Sequence, residues 1–422
     1  MRGIFLRKLG RRLAALGPFA LIFATYSLLL DHLPDQWFKQ DWVRYAFAVL
    51  AAVCVGVTLQ WLVQRPPVQR ILGSSPTTRT ILPGARQPEQ SPYLTTRQLL
   101  DGTRSRLLAD FRTASGLRGE ISGWSQFMGE QVPPSAIGTS YGLRIALALD
   151  IRDARIDRRR LVENVVALQR PAGGWVARSQ QDVARPEVTA WVLTALVRAG
   201  LESSIRSELV GQLERMLSPD VDRVGWQRVA VLTSAISALA EVEPASPKLD
   251  EITSHLLAGA VRQQVDSAPG GLAWGLTVNQ VGLPSVPHTA RAVVALHKAA
   301  QVVGRDRREK LDEVIDAGIE WLSHNPSLDI TDEQLRRLTR TDEAMDTIII
   351  GHFTPAWVAR ALMCRGVDNH LPQLRRAVRA VLDLQEDGVW KWREERKEPT
   401  WMTYQGVLVV RDYSMLNLPW PP

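Results

Sequence analysis

With 422 residues, 45% hydrophobic and 23% charged, the chain can hold two or three domains or one large repeat structure with an appendage, and global disorder is excluded. The 51 Lys and Arg against 44 Asp and Glu leave a formal charge of +7 spread along the chain. With no basic helix, zinc knuckle or aromatic-basic sheet motif, nucleic acid is set aside as a partner.

At the amino terminus, residues 13–30 and 45–63 are uncharged apolar runs, each close to the ~20 residues that a helix needs to cross a bilayer. Arg2, Arg7, Lys8, Arg11 and Arg12 precede the first run, and Arg65 and Arg70 follow the second. The positive-inside rule therefore places both termini on the cytoplasmic side of an inner (cytoplasmic) membrane, with Trp37, Trp42 and Trp61 at interfacial depth. Residues 1–64 are read as a two-helix transmembrane hairpin and anchor. Residues 65–93, rich in Pro, Ser, Thr and Gly, are read as a flexible linker, and residues 94–422 as the cytoplasmic domain. Cys54 lies in an apolar run and Cys364 in a predicted helix, a pattern that fits a reducing compartment rather than a disulfide framework.

Beyond the linker no segment shows strand-like alternation, and the sequence repeats. A small-residue-plus-Leu pair recurs as Ala146-Leu147, Ala195-Leu196, Ala238-Leu239, Ala295-Leu296, Ala361-Leu362 and Val407-Leu408. A threonine precedes each pair by a few residues: Thr139, Thr189, Thr233, Thr289, Thr354 and Thr400, expected as an N-cap or first-turn residue. Gly-Trp turns come before most of them, at Trp124, Trp175, Trp226, Trp274 and Trp390. The fifth unit carries an insertion instead. Six two-helix units that cannot bury their apolar faces alone are expected to stack, and the small residues of the second helices suit an inner ring. The fold class is all-α, an α/α toroid of six helical hairpins behind two transmembrane helices.

The Gln…Gly-Gly-Trp…Thr-x-Trp-x-Leu-x-Ala-Leu pattern of residues 169–196 and its copies resembles the prenyltransferase and squalene-oxidocyclase repeat, over roughly residues 94–415. The resemblance implies an α6/α6 toroid with a central cavity. It also implies three chemistries, to be tested on residues. In the zinc prenyltransferases an Asp-x-Cys and a His-Thr bind the metal; His288-Thr289 matches the second, but no Asp or Cys stands near Thr233. The Asp-x-Asp-Asp acid of class II cyclases is missing. The acidic clusters are Asp220 with Asp222, Asp329 with Asp332 and Glu333, and Asp342-Glu343 with Asp346. Asp342 and Asp346, at i and i+4 of a helix, are a weak catalytic or Mg²⁺ candidate against the preferred reading as solvated surface. In place of the thioester Cys-Gly-Glu-Gln the chain has Met128-Gly129-Glu130-Gln131, and a thioether forms no thioester.

No metal site and no cofactor are therefore expected, and the enzyme question stays open, leaning to no. Ligand-binding candidates near the starts of the second helices are Glu187, Trp191, His288, Arg291, His352, Trp357 and Trp401. Aromatic surface with His and Arg suits an amphipathic or anionic small molecule or a protein partner, and homo-oligomers are left open. The first expectation is a membrane-tethered, non-catalytic binding module acting as sensor or scaffold. The alternatives are an enzyme of isoprenoid or lipid substrates and a signal-gated effector whose clustered hairpins permeabilise the bilayer.

Overall fold

The computed structural model describes residues 95–421 apart from 117–118, 178–182, 266–267, 280–282, 326, 339–344 and 393–396. The transmembrane hairpin (1–64) and linker (65–93) expected from the sequence lie outside the described residues. Among the described residues, no helix is long and apolar enough to cross a membrane.

Six pairs of helices follow one another: α1 (Thr96–Ala109) and α2 (Ala136–Ala148), α3 (Arg158–Ala167) and α4 (Pro186–Arg198), α5 (Ser203–Met216) and α6 (Val229–Val242), α7 (Pro247–Ala258) and α8 (Val286–Ala300), α9 (Arg305–His324) and α10 (Thr354–Leu362), α11 (Leu371–Asp383) and α12 (Thr400–Met415). Each even-numbered helix packs on the next even-numbered one, and α12 returns to pack on α2. The odd-numbered helices pack against the outside of this closed ring. The molecule is an α/α toroid, and the burial pattern explains why. Outer helix α11 buries Leu374, Ala377, Val378 and Val381, spaced i, i+3, i+4 and i+7 on one face. Inner helix α6 is buried nearly all round, from Val229 to Val242. A helix apolar on every side is stable only when other helices surround it.

The Gly-Trp turns lock each inner helix to the outer helix before it. The indole N–H groups of Trp124, Trp175, Trp274 and Trp390 donate, each at 2.8 Å, to the carbonyls of Leu107, Val165, Leu256 and Val381. Each acceptor is the third residue from the end of its outer helix, where carbonyls have no donor within the helix. The backbone N–H groups of the same tryptophans donate to the hydroxyls of Thr139, Thr189, Thr289 and Thr403. Those threonines are the fourth residues of α2, α4, α8 and α12, so of the expected N-cap or first-turn placement the first turn holds, and the caps lie earlier, as at Ser135 of α2. In the last unit the working residue is Thr403, not Thr400. Gly142 and Gly406 supply the room, since a Cβ there would collide with the Trp124 and Trp390 rings.

Two units depart from the rule. Trp226 lies in the short helical turn Arg223–Gln227 and stacks on His255, with ring centroids 4.6 Å apart. The fifth unit replaces the turn by a β-hairpin. The expectation of no strands is overturned, among the described residues, by four two-stranded antiparallel hairpins: β1 (Arg112–Gly116) with β2 (Gly119–Gly123), β3 (Val261–Val265) with β4 (Ala268–Ala273), β5 (Thr331–Leu338) with β6 (Met345–His352), and β7 (Gln385–Glu386) with β8 (Val389–Trp390). In the longest, Glu333 pairs with Ile350 and Thr331 with His352. Asp346 therefore lies in β6 opposite Arg337. The helical i, i+4 placement with Asp342 fails, because the β-branched run Thr347–Ile350 extends; Asp342 itself lies outside the described residues.

The seam between first and last units is sealed through backbone: Met128 N–H donates to Glu398 O (2.8 Å), Thr400 N–H to Gln126 O (3.0 Å) and the Thr400 hydroxyl to Ser125 O (3.0 Å). Arg106 pairs with Glu398 at 2.6 Å across the same junction.

Candidate functional site

The inner ring surrounds a chamber of about 100 Å³. The repeat sets its walls: in four units the residues four and one positions before the small-residue-plus-Leu pair face it. These are Trp191 and Thr194, Ser234 and Ser237, Arg291 and Val294, and Trp357 and Arg360. Positions i and i+3 lie on one helix face. In α2 the lining residues are Tyr141 and Arg144, and in α12 Trp401 and Gln405. The β6 segment Ile348–Gly351 supplies an apolar side, so the hairpin of the fifth unit contributes directly to the chamber.

Four lining residues are cationic: Arg144, Arg291, Lys298 and Arg360; among the described residues no carboxylate lines the chamber. Arg291 and Arg360 both lie over the Trp357 ring, 4.8 and 4.9 Å from its centroid. Arg291 also donates to Ser234 Oγ (3.0 Å) and Ala230 O (3.2 Å), and the Trp191 indole donates to the same Ser234 hydroxyl (3.0 Å). Arg360 donates to Gln405 Oε1 (2.7 Å). Arg144 stacks on Tyr404 at 4.3 Å, and its buried Nε finds no hydrogen-bond partner among the described residues.

The field in this chamber is positive. Burial, opposed by Glu241, drives Lys298 down to about 8. Burial raises Tyr404, but Arg144, Arg198, Arg360 and Lys298 outweigh it and bring the phenol down to about 8. Burial also depresses Arg291 and Arg360. Counter-charge comes from Glu241, paired with Arg198 and, at 3.5 Å, with Lys298, and from Glu333, which acts on Arg291.

A second group gathers where inner helices begin. His288, in the first turn of α8, has Nε2 at 3.1 Å from Glu333 Oε2, and His352, at the end of β6, has Nε2 at 3.3 Å from the same oxygen. All three residues are buried. Ser285 Oγ lies 2.9 Å from His288 Nδ1, and Arg228 Nη1 lies 3.5 Å from Glu333 Oε1. The His288 and His352 rings meet edge-on, 4.7 Å between centroids. Burial holds His352 down to about 4, toward the neutral imidazole. Burial disfavours the Glu333 carboxylate, but its bonds to the two histidines prevail and keep it ionised. Among the described residues these three are the group of His, Cys, Asp or Glu side chains able to hold a metal, their donor atoms all within 4.8 Å. The expectation of no metal ligands is thus revised at the level of geometry.

Of the ligand-binding candidates read from the sequence, Trp191, Arg291, Trp357 and Trp401 line the chamber, and His288 and His352 meet at Glu333. Glu187 does neither; it is buried 3.9 Å from Arg185 in the first turn of α4. Arg144, Lys298, Arg360 and Glu333 were not foreseen. Arg360 was accessible from the repeat register, one residue before Ala361.

No protein-family model matches the chain, and no curated protein sequence matches it. Similar solved structures include a family 76 glycoside hydrolase from a bovine Bacteroides thetaiotaomicron strain, with a TM-score of 0.47 and 10% identity over 77% of this chain and 78% of that one. A type II terpene cyclase from Scytonema gives a TM-score of 0.44 and 14% identity over 76% of this chain and 99% of that one. The toroid rests on its own ring of helix contacts rather than on these likenesses.

Proposed function

We propose that the chain is a membrane-tethered α/α toroid whose central chamber binds the anionic head of an amphipathic small molecule on the cytoplasmic side. The observation that carries the reading is the set of four cationic side chains around a chamber that no carboxylate of the described residues lines. Buried cations without matching anions are costly, and a bound anion removes that cost through charge-assisted hydrogen bonds. Trp357 between Arg291 and Arg360, with Trp191 and Trp401, provides flat apolar surface beside the charge. The tether is the apolar pair of runs at 13–30 and 45–63.

Binding is favoured over turnover by the described lining, which carries neither an acid to protonate an alkene nor a carboxylate pair to cleave a glycosidic bond. A volume of about 100 Å³ also falls below the ~300–1,000 Å³ usual for drug-sized ligands. A headgroup fits; a long isoprenoid enters only if the β5–β6 hairpin moves.

Titrating the full chain with n-octyl phosphate, octanol and octyltrimethylammonium while following tryptophan fluorescence tests the reading. The phosphate is expected to bind, and Arg291→Ala to weaken it by about tenfold to a hundredfold, the worth of a charge-assisted bond. Equal binding of the cation or the alcohol would remove the proposal.

A further inference from the structure

We infer that His288, Glu333 and His352 form a divalent-cation site, selective for zinc, that clamps the β5–β6 hairpin to the start of α8. The inference stands apart from the chamber's ligand and uses none of the chamber's lining residues.

The first argument is the convergence on one oxygen. Both imidazole Nε2 atoms approach Glu333 Oε2, at 3.1 and 3.3 Å, while among the described residues Oε1 accepts no hydrogen bond and has the Arg228 guanidinium 3.5 Å away. A buried hydrogen-bond network would distribute two N–H donors over the two oxygens of a carboxylate, since each oxygen has its own lone pairs to satisfy. In a tetrahedral zinc site with bonds of ~2.0–2.1 Å, neighbouring donor atoms sit about 3.3 Å apart. Two edges of the triangle already have that length, and the third is within 4.8 Å.

The second argument is the support around the donors. The Ser285 hydroxyl, 2.9 Å from His288 Nδ1, can accept its N–H and leave Nε2 free to bind a metal. Arg228 holds Oε1 and leaves Oε2 to the imidazoles. Two imidazole nitrogens and one carboxylate oxygen suit zinc, whereas Mg²⁺ takes oxygen ligands and keeps several waters.

The third argument is placement. Glu333 and His352 lie on one buried face of the hairpin together with Leu335, Ile348 and Ile350, and His288 belongs to the inner ring. An ion held by all three would fix Ile348–Gly351 against the chamber.

The full chain, stripped with chelator and dialysed, is titrated with Co²⁺ and then Zn²⁺, following the visible absorption of four-coordinate cobalt and its loss on displacement by zinc. One ion per chain is expected. Glu333→Gln and His352→Ala should weaken zinc by ~100-fold or more, and Ser285→Ala, which keeps all three donors, by about tenfold. Zinc should raise the melting temperature of the wild type and of Ser285→Ala but not of Glu333→Gln. No stoichiometric binding by the wild type overturns the inference, as does wild-type affinity in Glu333→Gln or His352→Ala. Should either variant unfold, Ser285→Ala decides, and its unchanged affinity counts against the site. Octyl phosphate binding, measured on the chelated wild type, reports on the chamber independently.

Discussion

The Gly-Trp units and the fifth unit solve the same problem, joining an outer helix to an inner one, in opposite ways. In the first, second, fourth and sixth units a buried tryptophan ties the outer helix's last turn to the inner helix's first. Its indole and amide are both satisfied within the protein, so nothing is left to offer a ligand. The fifth unit spends its connection on the β5–β6 hairpin, which brings Ile348–Gly351 to the chamber and Glu333 and His352 to the mouth of α8. The regular copies lock themselves shut, and the hairpin adds Glu333, His352 and Ile348–Gly351 to the cations and His288 that regular units already present.

The widest gap between the two regions should appear when tryptophans of the two kinds are removed. Trp390→Ala is expected to cost about 3–5 kcal/mol of stability, because it empties a fully buried site and removes one of the two donors to the Val381 carbonyl. Urea unfolding of the full chain measures it. Trp357→Ala, partly exposed in the chamber, should cost clearly less while weakening octyl phosphate; equal losses would erase the distinction. Next in size, Arg360→Met should reduce anion affinity about tenfold to a hundredfold, as charge-assisted bonds of ~1.5–3 kcal/mol imply, with little change in unfolding midpoint. Thr403→Val, which keeps shape but deprives the Trp390 amide of its acceptor, should cost about 1–2 kcal/mol without touching ligand affinity.

The smallest effect is one of pH. As pH rises through about 8, Lys298 loses its positive charge and Tyr404 gains a negative one. Both changes make the chamber less positive. Octyl phosphate affinity should therefore fall several-fold between pH 7 and 9 by calorimetry, by up to about tenfold for ~1.4 kcal/mol of lost attraction. A rise over that range would contradict the described charge arrangement.

Much of the ring was legible because its signals are local. The small-residue-plus-Leu pairs and Gly-Trp turns mark units wherever they occur, and the same register fixes which residues face inward. The threonines were legible as helix-start residues but their partner was not, because a backbone N–H on the preceding turn is a contact that propensity does not encode. Glu333 was hidden by its charged neighbours: in Thr331–Arg336 only Glu333 and Leu335 are buried, a period of two that a search for helices overlooks. The same alternation continues in β6, with Ile348, Ile350 and His352 inside and Ile349 outside. Pairing of Glu333 with Ile350 is non-local, and so the meeting with His288 followed only from the fold.

The central claim is that the cationic chamber exists to hold an anion. Extracting the purified full chain and analysing by mass spectrometry what one equivalent of protein retains tests it most directly. An anionic amphiphile at one per chain, absent from an Arg291→Ala/Arg360→Met double variant that remains folded, is the predicted result. A neutral or cationic molecule retained equally by wild type and variant would contradict it.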